Sequence, residues 1–357
     1  MIYFIISLLC LGVIIFLHEL GHFLMARKHG VTVEEFGIGY PPRLFSFKKN
    51  GVVYSINAIP FGGFVKIVEF GDKNSFAAQS LGKRASILVA GVVSNFIIAF
   101  LIFTILFSIG MPTFALPQNY QEEVVSNIKI QKIEEESPAF SAGLELGDII
   151  LGIKYLNDYY LVSSVQDVQE KTAELEGKKI QLVIERKGDQ VEIEVLLRPE
   201  SEAAKGYLGV VLNEEGYLQY SVIEAPRQSF ILIGTLTKEM LTGLGRVFIN
   251  LFKGDGSIEE LTGPVGIMAI TTRSFQWGWD YGFYILGIIS YAFAIFNLLP
   301  IPAVDGGRIL FLGIEKIRRR PIAQKTELII NNICFSLLVI LLFVVTIKDI
   351  NLFILNN

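Results

Sequence analysis

Four stretches of the chain are apolar for long enough to cross a bilayer, and the segments between them are alternating or polar. The first, residues 1–26, is apolar from Ile2 to Ala26 and ends in Arg27 and Lys28. About 25 residues at 1.5 Å rise span a hydrocarbon core. No basic stretch precedes it and no small-residue cleavage site follows, so it reads as a retained span rather than a signal peptide. The second, third and fourth spans are predicted at residues 85–111, 281–299 and 328–347. Residues 27–84 alternate apolar and polar positions, as in Val52 to Ile59, and carry many glycines. Lys49-Asn50-Gly51 is a hairpin-turn signal. Short strands are predicted there, and their open edges must line a protein cavity or be completed by another strand, because they cannot face lipid. Residues 118–213 have the periodicity of a water-facing domain. Ile180, Leu182 and Ile184 alternate, as do Val191, Ile193 and Val195, about Gly188-Asp189, which predicts a hairpin; Ser163 to Leu175 reads as a helix. Residues 226–252 are amphipathic, with Lys238, Glu239 and Arg246 interrupting them, and predict an interfacial helix. Lys253 to Gly256 breaks it, and Leu261 to Ile267 reads as turn-rich. After the third span, residues 300–307 leave the helix. Pro300 and Pro302 cannot continue one, and Gly306 and Gly307 permit unusual dihedrals. The predicted architecture is a multi-pass α-helical membrane protein with four transmembrane helices, a membrane-associated β element and an inserted α+β domain.

Composition agrees. The chain has 357 residues, 52% of them hydrophobic, with mean hydropathy +0.50, too apolar for an ordinary soluble protein. A net charge of -4 gives no nucleic-acid signal. Cys10 and Cys334 both fall in apolar runs and read as small buried hydrophobes. Basic residues set the expected orientation. Arg27, Lys28, Arg43, Lys48, Lys49, Lys66, Lys73, Lys83 and Arg84 lie between spans one and two, and Lys316, Arg318, Arg319, Arg320 and Lys325 between three and four. Both loops are expected in the cytoplasm, with the inserted domain and both termini outside.

The chemistry sits in the first span, as His18-Glu19-Leu20-Gly21-His22. Titratable residues at membrane depth are expensive and mark function. His18 and His22, four apart on a helix, share a face and can hold one metal ion, while Glu19 can take a proton from the water the metal activates. Catalytic zinc usually has three protein ligands and one open position. His29 lies past the basic pair and is expected outside the membrane. Asp305 follows a span that returns to the same side as the end of span one, so it is the best-placed third ligand. One Zn2+ per chain, on His18, His22 and Asp305 with Glu19 as general base, predicts metal-assisted peptide hydrolysis. Asn95 lies within span two, where an amide either hydrogen-bonds across helices or acts near the metal.

Ser137-Pro138-Ala139, Ala142-Gly143-Leu144 and Gly147-Asp148-Ile149-Ile150 resemble the signature of bacterial PDZ domains, which bind peptides by strand addition; here the domain is either a peptide binder or a steric cover. With the HELGH span before it and Asn297 to Gly307 (NLLPIPAVDGG) after it, the chain resembles the site-2 protease family of intramembrane zinc metalloproteases. Within that family it is most similar to the bacterial sigma-E-pathway protease and its relatives. The resemblance implies a bacterial inner-membrane enzyme that cuts single-span membrane proteins within the lipid bilayer, anti-sigma factors and remnant signal peptides among them. It implies Asp305 as third ligand, Asn297 in substrate handling, and the strand-rich stretch as an element that holds the unwound substrate. Ile56, Phe61, Gly62, Gly63 and Val65 are the expected contacts in that stretch, with Asn95 beside them. Val304 stands where the family often has leucine, and Val92 where span two often has proline.

Two other classes were weighed. A non-catalytic PDZ scaffold is disfavoured by the intact Glu19 and complete ligand set. A metal transporter is disfavoured by Glu19 in register and the lack of a repeated half.

Overall fold

The computed structural model describes residues 1–113, 125–186, 188–199, 206–253 and 262–352, in two compact units. Unit one comprises residues 1–109 and 220–357 as far as they are described; unit two comprises residues 110–219 likewise.

Unit one opens with α1 (Ile2–Lys28). A two-stranded antiparallel hairpin follows, β1 (Val33–Lys49) and β2 (Val52–Ile67). The strands have 17 and 16 residues, so the expectation of short strands is corrected. The hairpin also folds on itself. Residues 35–38 of β1 pair with 53–56 on one side and with 63–66 on the other, and residues 43–49 pair with 52–57. The result is a small sheet in the order 43–49, 52–57, 35–38, 63–66, with 63–66 at an edge. Gly39 (φ 73°) turns the first bend, and Asn57 holds it by donating from Nδ2 to the carbonyls of Ile38 and Gly39, each at 3.2 Å. Then comes α2 (Leu81–Ile109).

Unit two is a seven-stranded sheet among the described residues. Its elements are β3 (Met111–Pro112), β4 (Val125–Ile133), α3 (Pro138–Ser141), β5 (Ile149–Tyr155), β6 (Asp158–Leu161), α4 (Val165–Glu174), β7 (Lys179–Arg186), β8 (Asp189–Leu196) and β9 (Val210–Leu218). The strand order is β3-β9-β4-β5-β7-β8, with β6 pairing β5. The expected hairpin about Gly188 forms, with Arg186 opposite Asp189. Ile180, Leu182, Ile184 and Val195 point into a core shared with Ile128, Ile150 and Val168. A capping box between Ser164 and Asp167 starts α4. The backbone N–H and hydroxyl of Ser163 and the backbone N–H of Ser164 all donate to the Asp167 carboxylate, and this hydrogen bonding lowers its pKa from the usual carboxylate value.

The chain returns to unit one through α5 (Ala225–Lys253), α6 (Pro264–Trp277), α7 (Trp279–Leu298), α8 (Asp305–Arg318) and α9 (Gln324–Ile350). Helices α1, α2, α7 and α9 are long and apolar enough to cross a membrane. The segment read as turn-rich instead starts α6, because Pro264 is suited to the first helical turn. The predicted break at Gly254 to Gly256, Leu261 and the first residues of the predicted domain, 118–124, lie outside the described residues.

Two details position the site. Gly306 and Gly307 are helical, so the expected unusual dihedrals are corrected. What they permit is close approach: a Cβ would meet the Leu299 carbonyl at 2.1 Å and the Ile301 carbonyl at 2.3 Å. The left-handed residue of this loop is Ala303 (φ 84°). At the far end, the wholly buried Asp349 of α9 accepts from the amides of Gly263 (2.9 Å) and Gly266 (2.8 Å), satisfying the start of α6. Asp349→Ala leaves two buried donors unpaired and should lower stability by about 1–3 kcal/mol. Thermal unfolding of the detergent-purified protein checks this, and an unchanged midpoint would remove the staple from the account.

Candidate metal centre and catalytic cleft

His18 and His22 lie one turn apart on the buried face of α1, 4% and 7% exposed. Their Nε2 atoms are 3.1 Å apart, and each is 3.2 Å from Oδ2 of Asp305, the first residue of α8. That oxygen is buried and has no hydrogen-bond partner of good geometry. Zinc bonds of about 2.0–2.2 Å at tetrahedral angles put neighbouring donors about 3.3–3.6 Å apart, close to the spacing seen here. Three donors converging at that spacing, one of them an orphaned buried carboxylate oxygen, fit a zinc ion. Among the described residues, this trio is the group of His, Cys, Asp or Glu side chains that converges in this way.

Each ring is held from behind by α2. Nδ1 of His22 donates to the Ile87 carbonyl at 2.8 Å, which leaves Nε2 free to ligate. Nδ1 of His18 faces the Asn95 carboxamide at 3.2 Å, and the ring packs edge-on against Phe293 at 5.3 Å. The helices approach this closely because of two glycines. A Cβ on Gly21 would lie 2.3 Å from the Ser94 hydroxyl, and one on Gly91 would lie 2.3 Å from Nε2 of His22.

Glu19 points to the other side. Its Oε2 accepts from the Val65 amide at 3.2 Å, on the strand segment at the edge of the folded hairpin. A cleft of about 560 Å³ opens here, lined by His18, Glu19, His22, Tyr40, Val65, Phe293, Asn297 and Asp305. Asn297 is nearly buried and donates from Nδ2 to the Phe293 carbonyl at 3.1 Å. Arg308 closes one flank by pairing with Glu69.

The remaining expected contacts are placed differently. Asn95 is wholly buried behind His18, out of the cleft, because its amide needs a polar partner in a lipid-facing helix. The backbone of Ile56 is paired on both sides, with Phe45 and with Ile38, so no added strand can reach it. Gly62 and Gly63 are buried against α1, where a Cβ would strike Ile15 at 2.6 Å or the Gly37 carbonyl at 2.8 Å. Phe61 lines a neighbouring apolar groove with Leu11 and Ile14. His29 is apart from the cluster and bonds the Ser86 hydroxyl at 2.8 Å. Sequence reasoning missed Ile87, Gly91 and Phe293; the spacing of four from Ile87 to Gly91 to Asn95 was the available signal.

A zinc-fitting trio, two histidines on an apolar helix and an aspartate at the start of α8, with a carboxylate beside it and a strand edge alongside, defines a membrane-embedded metallohydrolase. The comparison with known proteins gives the family: residues 6–341 match Peptidase family M50, and the chain belongs to that family, the site-2 proteases. It is 29% identical over 425 residues to zinc metalloprotease RasP of Geobacillus kaustophilus, covering 96% of each chain. It is 28% identical over 431 residues to RasP of Oceanobacillus iheyensis, covering 96% of this chain and 97% of that one. A provisionally named zinc metalloprotease of Clostridium acetobutylicum is 32% identical over 353 residues, covering 97% of this chain and 96% of its own. The protein is a site-2-type zinc metalloprotease of a bacterial membrane, and its cofactor is Zn2+.

The packing generates a test. Gly91→Ala forces a methyl group onto His22 and should lower zinc retention at least tenfold, on the scale expected for disturbing a ligand's support. Zinc per chain after purification in a metal-buffered detergent solution reads this directly; full retention would mean the helices separate without cost to the site.

Proposed function

We propose that the chain hydrolyses peptide bonds within or near the membrane segment of single-span membrane proteins, such as anti-sigma factors or remnant signal peptides. His18, His22 and Asp305 hold the zinc and Glu19 is the general base and acid. The observation that carries this reading is the convergence of the three ligand atoms with Glu19 turned toward a strand edge. When bound, zinc supplies a Lewis acid for the scissile carbonyl and lowers the pKa of water. Glu19 takes the proton of the attacking water and returns it to the departing amide nitrogen.

A substrate helix hides its amides in its own hydrogen bonds and must unwind before it is cut. The edge segment about Val65, beside Glu19, is suited to take the unwound stretch as an added strand. This narrows the expected contact region from Ile56–Lys66 to its last few residues. Asn297, lining the same cleft, is a substrate-handling residue in this reading. Unit two is read as a PDZ domain. Among the described residues, β9 pairs with β4 along its length, while β3 and Thr113 cover it at Gly216 to Leu218, which supports an edge open to peptide over the rest of β9. The basic loops orient the chain with that domain and both termini outside the cytoplasm. Trp277 and Trp279, both about half exposed, suit the opposite interface.

The test is cleavage of a single-span substrate in detergent, wild type beside Glu19→Gln, with zinc measured on both. Both should hold about one zinc, and the variant should lose at least a hundredfold in rate, the usual worth of a positioned proton-transfer group. Equal cleavage by the variant would end the assignment of Glu19; no cleavage by the zinc-loaded wild type of any such substrate would end the substrate class. A second experiment addresses the strand edge. Val65→Pro removes the amide that Glu19 accepts and should cut the rate roughly tenfold, the equivalent of one hydrogen bond, while zinc stays bound. An unimpaired, folded Val65→Pro enzyme would exclude the edge as the substrate's partner.

A further inference from the structure

Asn95 is a carboxamide sealed in a membrane helix with 0% exposure, and its oxygen has no hydrogen-bond partner among the described residues. Its one side-chain contact is with Nδ1 of His18, at 3.2 Å. We propose that Asn95 is a positioning residue of the metal centre: its carboxamide oxygen accepts the Nδ1–H of His18 and thereby holds the Nε2 lone pair of His18 on the zinc. The proposal rests on the ligand set given above.

Nε2 of His18 is the nitrogen that faces His22 and Asp305, so it is the nitrogen that can ligate. A neutral imidazole that ligates through Nε2 carries its hydrogen on Nδ1, and at membrane depth that N–H needs an acceptor from the protein. The atom opposite Nδ1 belongs to the Asn95 amide. Oxygen and nitrogen of an amide exchange by a half-turn, and which one faces a neighbour is inferred from the hydrogen-bond network. With the nitrogen toward His18, two donors would meet once zinc occupies Nε2, and the oxygen would stay orphaned. With the oxygen toward His18, the ring is locked in the ligating tautomer.

The second histidine has the same arrangement. His22 gives its Nδ1–H to the Ile87 carbonyl. Ile87 and Asn95 lie on one face of α2, one turn either side of Gly91, which lets both rings in. A main-chain carbonyl serves His22, and a side chain serves His18, one turn earlier on α1. Asn95 is itself anchored, since its own carbonyl accepts from the Ser290 hydroxyl of α7 at 3.0 Å. An amide acting only as interhelical glue would not need to present an acceptor, and this difference is measurable.

The experiment is zinc affinity of the full-length protein in detergent, by competition with a chromophoric chelator, for wild type, Asn95→Asp, Asn95→Leu and His18→Ala. The visible absorption of the cobalt-substituted forms reports ligand geometry. Asn95→Asp keeps an acceptor and discards the donor, so it should bind zinc at least as tightly as wild type with an unchanged cobalt spectrum. Asn95→Leu should bind 10–100-fold more weakly, the usual effect of removing a ligand's hydrogen-bond partner. If Asn95→Asp loses zinc affinity by tenfold or more, the amide works as a donor or as packing and the proposal is overturned. That comparison decides even if the leucine variant does not fold. A folded Asn95→Leu with wild-type affinity also overturns it. His18→Ala separates this failure from the larger one: wild-type zinc affinity there removes His18 from the ligand set, whereas weak binding there beside an unaffected Asn95→Leu rejects the role of Asn95 alone.

Discussion

The close approach of α1 and α2 is the constraint on which the site depends. In lipid there is no water to draw apolar helices together, so their association rests on van der Waals fit and on hydrogen bonds between them. Gly21 and Gly91 remove the two side chains that would hold them apart. That closeness puts the Ile87 carbonyl and the Asn95 amide within reach of both imidazoles. Two histidines at membrane depth would otherwise carry unsatisfied N–H groups, each costing several kcal/mol. The same contact that packs the helices therefore makes the histidines tolerable and aims them.

Asp305 reaches them by a different solution. A helix carrying it straight on from α7 would continue past the histidines, so the chain must break and turn back. Between Leu298 and Asp305 the backbone leaves the helix, and its polar groups are met locally: Ile301 donates to the Leu299 carbonyl, Val304 to that of Ile301, and Ala303 to Oδ1 of Asn331 on α9. Ala303 takes a left-handed conformation, φ 84°, uncommon for a residue with a Cβ. Gly306 and Gly307 then let the first turn of α8 lie against the loop. Asp305 starts that helix, where unpaired amides favour a carboxylate. The turn thus brings the Asp305 carboxylate to the two histidines at the start of a helix.

The hairpin gives the cleft its second wall, and its own folding decides which residues are available. Because residues 35–38 are paired on both sides, the edges of the sheet are 43–49 and 63–66, and the second lies beside Glu19. The Val65 amide is where Glu19 is held, so the base and the strand edge share a single hydrogen bond. In the proposed reading, a substrate strand that pairs at this edge would arrive beside Glu19.

What the sequence made legible follows from how local each signal is. The HELGH spacing is a one-turn relation, so His18, Glu19 and His22 could be read from the chain alone, and Asp305 followed from counting spans. The edge of the hairpin could not be read. Central and edge strands alternate in the same way, so Ile56, with both sides paired, looks like Val65, with one side free. Glycines were misread for a related reason. A glycine that needs a positive φ and a glycine that needs an absent Cβ are the same letter: Gly306 and Gly307 are helical and sit where backbone comes within 3 Å of the missing atom, whereas Gly62 has both a positive φ (79°) and a side chain that close. Asn95 was the most recoverable of the misplacements. Ile87, Gly91 and Asn95 recur every fourth residue, which puts a carbonyl, a gap and an amide on one stripe of a helix, in register with two histidines that are themselves four apart. A stripe with that spacing opposite HELGH is the complement of the motif, and its polar end is turned toward His18 and out of the cleft.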